Sequence, residues 1–414
     1  MTHGPSYGRT GQQAREPKRS HEVYTRLATY IREASEAERL GHYLGYAIPL
    51  VIVGLFVFDK AIIRPLMYVA CTLPIAVYIY RVRLTHVWTS SYWWLIASFC
   101  ALWLLSVTWS TGVTLESLWE AVRLGLTVGV FFTGAIAVAR VGYLQVEFAL
   151  TVMTVLALAM GLSALAWAAV TGHLFDPRYR LEGFGFADHP VHAGVMYGFA
   201  GIVALKRLVE VDRIGTRVFY AAALVTCAVF VVLTDSRGPL GAMFVASIVL
   251  AFARDWRLVL PVMLGFLALV LVGQVSGLID VVNWIARGTA SRLDIWWTVV
   301  DDALQRPLFG HGAATVIREF HHHSSHNALL ATFYYQGLIG LALVGALTFR
   351  VAYDALSAAR VGQPQILVML AFAVPVLMVD NQSLIINLNR DWLILYLPVL
   401  MLCRPAVGWK SSRT

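Results

Sequence analysis

The sequence predicts an all-α polytopic membrane protein. Three observations predict it. Hydrophobic residues make up 58% of the chain and charged residues only 14%. Mean hydropathy is +0.68. The apolar residues gather into about twelve runs, most near the roughly 20 residues that a spanning helix needs. A soluble domain carries about 25% charged residues, so these numbers exclude a large water-soluble core.

Residues 1–42 form a charged N-terminal segment. Its first 20 residues are polar and are expected to lack fixed structure. Between His21 and Leu40, the residues Val23, Leu27, Tyr30, Ile31 and Ala34 recur at helical steps. That spacing predicts an amphipathic helix, either lying on the membrane surface or solvated. No cleavable signal peptide is expected, because charge runs through the segment until the first apolar run near Tyr43. The predicted spans cover roughly 43–58, 62–80, 92–109, 117–139, 146–171, 190–206, 217–234, 238–253, 257–279, 326–349, 364–379 and 389–403, followed by a short basic tail over 404–414. The four cysteines lie in or beside apolar runs without paired spacing, so neither a disulfide framework nor a zinc site is read from them.

Orientation follows from lysine and arginine. With the N-terminus inside, every short basic turn lands on the cytoplasmic side, and most of the 32 cations fall there. The net charge of +8 is therefore a topology signal, not a nucleic-acid footprint. The cations left outside are Lys60 and a set of arginines that includes Arg64, Arg123, Arg178, Arg180, Arg237, Arg287, Arg292, Arg306, Arg318 and Arg390. His173, His189, His192, His311, His321, His322, His323 and His326 share that face. Guanidinium groups suit phosphate through paired planar donors, so an anionic substrate handled on the outer face is expected.

The longest outer loop runs over 280–325. Ser291 followed by Asp294 resembles a capping box, and Leu293, Trp296, Trp297, Val300 and Leu304 make one apolar face. An interfacial helix is expected there, with tryptophan at headgroup level. The loop then runs into an apolar helix at Ser325-His326-Asn327, where Ser324 or Ser325 is expected to act as the cap.

These placements nominate residues for chemistry. Arg237 precedes Gly238-Pro239 at the start of a span, a setting that suits phosphate. The plainer alternative is a headgroup anchor or an ion pair with Asp235. Arg292 opens the loop helix and is a phosphate ligand or a lipid anchor. His326 is a general base or a helix-end histidine. His321, His322 and His323 are candidates for substrate or metal, but adjacent histidines rarely face one ion. His189 and His192 open another span, as substrate contacts or as a simple cap or anchor, with Arg178 and Arg180 just before them. Arg123 lies inside a span near Glu116 and Glu120, as a buried pair or a functional arginine. Asp380 and Arg390 bracket the last outer loop and are expected to orient the site.

Four motifs occur in order: SRG at 236–238, SRLDIWW at 291–297, GHG at 310–312 and HNALLATFYYQGLIG at 326–340. Together they resemble the lipopolysaccharide O-antigen ligases, the WaaL family, within a superfamily that includes O-antigen polymerases and some protein O-oligosaccharyltransferases. The likeness covers Thr234 to Gly340; the earlier helices match only in number and hydropathy. It implies a GT-C-type glycosyltransferase of the bacterial inner membrane. The reaction implied is metal-independent, inverting transfer of O-antigen from undecaprenyl pyrophosphate to lipid A–core oligosaccharide on the periplasmic face. It implies no cofactor, with Arg237 and Arg292 on the pyrophosphate and His326 as catalytic histidine. Arg123, Arg178, Arg180, His189, His192, His323, Asp380 and Arg390 remain expected substrate contacts. A polymerase would use the same donor. A transporter would be signalled by inverted repeats, which the sequence does not display. A scaffold would not need so many outward arginines.

Overall fold

A computed structural model describes residues 36–403 apart from 83, 175, 177–178, 276, 278–289 and 316–324. The expected surface helix before residue 36, the tail 404–414, Arg178, His323 and its neighbours His321 and His322 lie outside the described residues. Every regular element among the described residues is helical.

Among the described residues, nine helices are long and apolar enough to cross a membrane. They are α1 (Glu36–Phe56), α2 (Lys60–Arg81), α3 (Ser91–Trp109), α4 (Leu115–Arg140), α5 (Val146–Val170), α7 (Ile214–Leu233), α8 (Arg237–Arg254), α9 (Trp256–Val275) and α11 (Ala328–Arg360). Between α5 and α7 lies α6 (Pro190–Leu208), which is helical and largely buried but not among the nine. The last two apolar runs form shorter helices, α12 (Gln365–Val379) and α13 (Trp392–Leu402). The loop helix forms as α10 (Ala290–Ala303). Each of the twelve apolar runs thus contains a helix.

Among the described residues the chain is already helical at Glu36, ahead of the apolar run. Glu36 pairs with Arg81 at the far end of α2, and Gly41 and Gly45 pack against Tyr143. Those tertiary contacts extend the helix into residues that hydropathy alone assigns to the surface. Local signals set other starts. Asp59 caps α2 by accepting from the amides of Ala61 and Ile62, and Thr114 with Ser117 forms a capping box on α4.

The core is aliphatic and aromatic, and α6 is buried along almost its whole length. It packs on α5, α7, α8 and α12. At about 22 Å, α12 is shorter than the roughly 30 Å hydrocarbon core. The loop that joins it to α13 is buried in protein: Asn381, Asn387, Asn389, Arg390 and Asp391 are each no more than 9% exposed. Irregular backbone at membrane depth is stable only in such a setting, where protein groups satisfy it.

Helix α11 is interrupted at Gly337 (φ 63°, ψ −160°). The interrupted backbone bonds are replaced from the segment 307–312. The amide of Leu338 donates to Pro307 O (2.8 Å), His311 N to Tyr334 O (2.8 Å) and Gly312 N to Tyr335 O (3.0 Å). The two chain segments touch through glycine. A Cβ on Gly337 would lie 2.3 Å from Leu308 O, and one on Gly310 would lie 2.6 Å from Gln336 N. The His311 ring stacks on Tyr334, and its Nε2 donates to Asp302 O at 2.8 Å. The glycines of GHG and of the QG at 336–337 are therefore a packing device, and His311 locks it.

Candidate active site

The centre of the site is the turn Ser325-His326-Asn327. Asn327, not serine, is the cap of α11: its Oδ1 accepts from the amides of Leu329 (2.9 Å) and Leu330 (3.1 Å). Ser325 is buried and its hydroxyl donates to Asn327 O (3.0 Å), shaping the turn instead. His326 stands just outside the helix in the left-handed region (φ 51°). That conformation is strained for a non-glycine residue. It persists because both flanks are held, by the Asn327 cap and by Trp296, whose Nε1 donates to Ser325 O at 3.1 Å.

His326 Nδ1 lies 3.2 Å from Asp380 Oδ1. Burial alone would raise the Asp380 carboxyl, but the His326 hydrogen bond and the Arg390 guanidinium outweigh it and hold the group down at about 2. Asp380 is therefore ionised at neutral pH and can only accept, so Nδ1 carries the ring proton and Nε2 is the proton-accepting nitrogen. Arg390 Nη2 lies 2.6 Å from Asp380 Oδ2, with its Nε 3.6 Å from Asp391 Oδ1. Asp391 in turn accepts from Asn381 (2.9 Å) and Asn389 (3.0 Å). A histidine is thus oriented by a carboxylate that is itself fixed by a buried arginine. The sequence nominated Asp380 and Arg390 only as loop residues that orient a site. The Asn-rich run 381–391 was the available sign that this loop is sunk in protein.

His192 lies within electrostatic range of Arg390, His189, Asp380 and Lys60. Its ring stacks on Phe186 (5.2 Å). His189 caps the helix, the plainer of the roles weighed for it, with Nδ1 accepting from Val191 N at 3.2 Å. Four buried polar atoms in this cluster have no hydrogen-bond partner among the described residues: His192 Nδ1, Asn381 Oδ1, Arg390 Nη1 and Asp391 Oδ1. So many buried unpaired groups in one place are unusual in a stable fold.

The two arginines expected on phosphate stand on different helices, each with a neighbouring residue packed near this region. Arg237 is the first residue of α8. Next to it, Gly238 faces Val379, the residue before Asp380: a Cβ there would lie 3.5 Å from Val379 Cγ2. The turn before it is braced by Arg180, whose Nε donates to Thr234 O (3.0 Å) and Nη2 to Ser236 Oγ (3.0 Å). Arg180, expected as a substrate contact, thus braces the turn that leads into Arg237. Within that turn Asp235 also has a positive φ (47°). Arg292 lies one turn before Trp296 on the side of α10 that packs on the protein, together with Val299 and Ala303. Leu293, Trp297 and Leu304, expected on the apolar face of an interfacial helix, are exposed.

Arg123 does not join this group. Its Nη2 is 3.8 Å from Glu120 Oε1, and it neighbours Arg64 on α2. Among the described residues, no three His, Cys, Asp or Glu side chains gather as a metal would require. Lys60, Trp296 and Ser325, named in the sequence for charge, apolar face and capping, also lie in or beside this cluster. Compared with known proteins, the chain matches no family model and no curated protein.

Proposed function

We propose that this chain is a twelve-span glycosyltransferase of the GT-C type. It moves O-antigen from undecaprenyl pyrophosphate to lipid A–core oligosaccharide on the periplasmic face of a bacterial inner membrane. The observation that carries the reading is the Asp380-oriented imidazole of His326, with the Arg237 and Arg292 elements packed around it. The ordered motifs at 236–340 and the excess of cytoplasmic lysine and arginine support it.

The chemistry is a single displacement. His326 Nε2 takes the proton of the acceptor hydroxyl while that oxygen bonds to the anomeric carbon. The bond from that carbon to the diphosphate oxygen breaks, and the leaving group keeps the electron pair, inverting the centre. Arg237 and Arg292 stabilise the charge growing on the diphosphate, each worth on the order of 3 kcal/mol of barrier by analogy with an oxyanion donor. Asp380 holds the tautomer and stabilises the imidazolium that forms, as in other carboxylate–histidine pairs.

The test is transfer by purified protein given lipid-linked O-antigen and lipid A–core. Capped core is expected from the native chain. His326→Ala and Arg237→Ala are each expected to lower the rate about 10³-fold or more, with circular dichroism unchanged. Longer glycans on the donor lipid without capped core would replace ligase by polymerase. Full activity in His326→Ala would end the assignment.

A further inference from the structure

Helices α2 and α4 pack side by side and in register. Tyr68 Oη lies 3.3 Å from Thr127 Oγ1, a pair 59 residues apart. Further along, Ile75 fills the notch over Gly134, where a Cβ would meet Ile75 Cγ2 at 2.2 Å. Both pairs have the same sequence offset, so the helices run parallel without slipping. One turn before Tyr68 and Thr127, the same offset sets Arg64 opposite Arg123. Their charges are within range of each other, of Glu120 and of Tyr68.

Two guanidinium groups at one level repel, and their compensation is slight. Glu120 is the nearby carboxylate, 3.8 Å from Arg123 and more than half exposed, so the cluster stays net positive. The Nε atoms of both arginines are buried and have no hydrogen-bond partner among the described residues. A π-helical turn over Tyr68–Thr72 lies directly after this level, and such bulges are common at functional sites. Trp119 and Leu126, on the same face of α4 as Arg123, are exposed and apolar. The cluster therefore opens sideways, onto the surface that lipid covers. Two planar cations with spare donors, set in an apolar wall, match a phosphate carried on an acyl chain.

We propose that Arg64 and Arg123 form a lateral anion site that holds the phosphate of a membrane lipid, distinct from the His326 site. It stands on the α2–α4 register and not on the transfer chemistry. Lys60, one turn before Arg64 and within electrostatic range of His192, links the two regions by a basic strip.

Native mass spectrometry of the full-length, delipidated protein tests it, with phosphatidic acid, diacylglycerol and inorganic phosphate as probes. The native chain is expected to retain phosphatidic acid about tenfold better than diacylglycerol. Arg64→Gln with Arg123→Gln is expected to abolish that preference, whereas His326→Ala keeps it. Glu120→Gln removes the opposing carboxylate and is expected to raise phosphatidic acid retention a few-fold, roughly two or more. Excess inorganic phosphate is expected to leave the lipid in place. Full displacement by it would keep the phosphate site but assign it to a soluble anion. Equal retention of phosphatidic acid by the native chain and a folded double variant overturns the proposal. If the double variant fails to fold, no gain in Glu120→Gln does so.

Discussion

The indole of Trp296 donates to the carbonyl of Ser325 across 3.1 Å, tying the loop helix to the turn that presents His326. One hydrogen bond thus couples Arg292, one turn away on α10, to the imidazole. Trp296→Phe keeps an aromatic ring and deletes the donor. A lost hydrogen bond of this kind is worth about 1 kcal/mol. The expected result is a transfer rate about tenfold lower, because the strained turn drifts, with the melting temperature nearly unchanged. Native rates would show that the bond does not position His326.

Asp380→Asn is expected to cut transfer about 10²- to 10⁴-fold, since an amide can donate to Nδ1 and stabilise the wrong tautomer. The same substitution has a stability signature. The Asp380 carboxyl is held below its usual value, at about 2. Its stabilising contribution is present above the unfolded carboxylate value near about 4 and fades as pH falls through about 2. Thermal melts of native and variant protein should differ by a constant amount from neutral pH down to about 4 and converge below it. A gap that closes already near neutral pH would contradict the pairing.

Arg180 acts through Ser236 and Thr234. Arg180→Ala is expected to raise KM for the lipid-linked donor about tenfold while lowering kcat less, because it loosens the aim of Arg237. Arg180→Lys should recover part of the loss, as lysine supplies a charge but no fork. A pure loss of kcat would place Arg180 on the reacting atoms instead.

Gly337→Ala forces a side chain into Leu308 O and into a left-handed backbone. A cost of about 1–3 kcal/mol or more is expected, seen as a lower melting temperature. Gly215→Ala is the control, since a Cβ there meets nothing within 4 Å, and its melting temperature should hold or rise slightly. Equal behaviour of the two variants would mean that the 307–312 segment does not brace the break.

Hydropathy and basic residues by themselves determined the helical class, the number of apolar segments and the candidate faces. Those properties depend on solvation of each stretch by lipid or water, and they are written locally in residues such as the run 146–170. The same local logic nominated His326, Arg237 and Arg292, because each stands at a junction between polar loop and helix.

Only the tertiary structure decided which of these junctions meet. Asp380 reaches His326 across 54 residues of chain, and nothing local distinguishes it from another helix-end aspartate. Nothing local shows that Arg180 braces the turn at Thr234 from 54 residues away. Asn327 took the capping role from serine once Ser325 was drawn inward by Trp296. The glycines of GHG looked like part of a site by their motif and proved to be where two backbones touch. In each case, packing across long sequence separations set which partner a polar group found, and the sequence records composition more plainly than partnership.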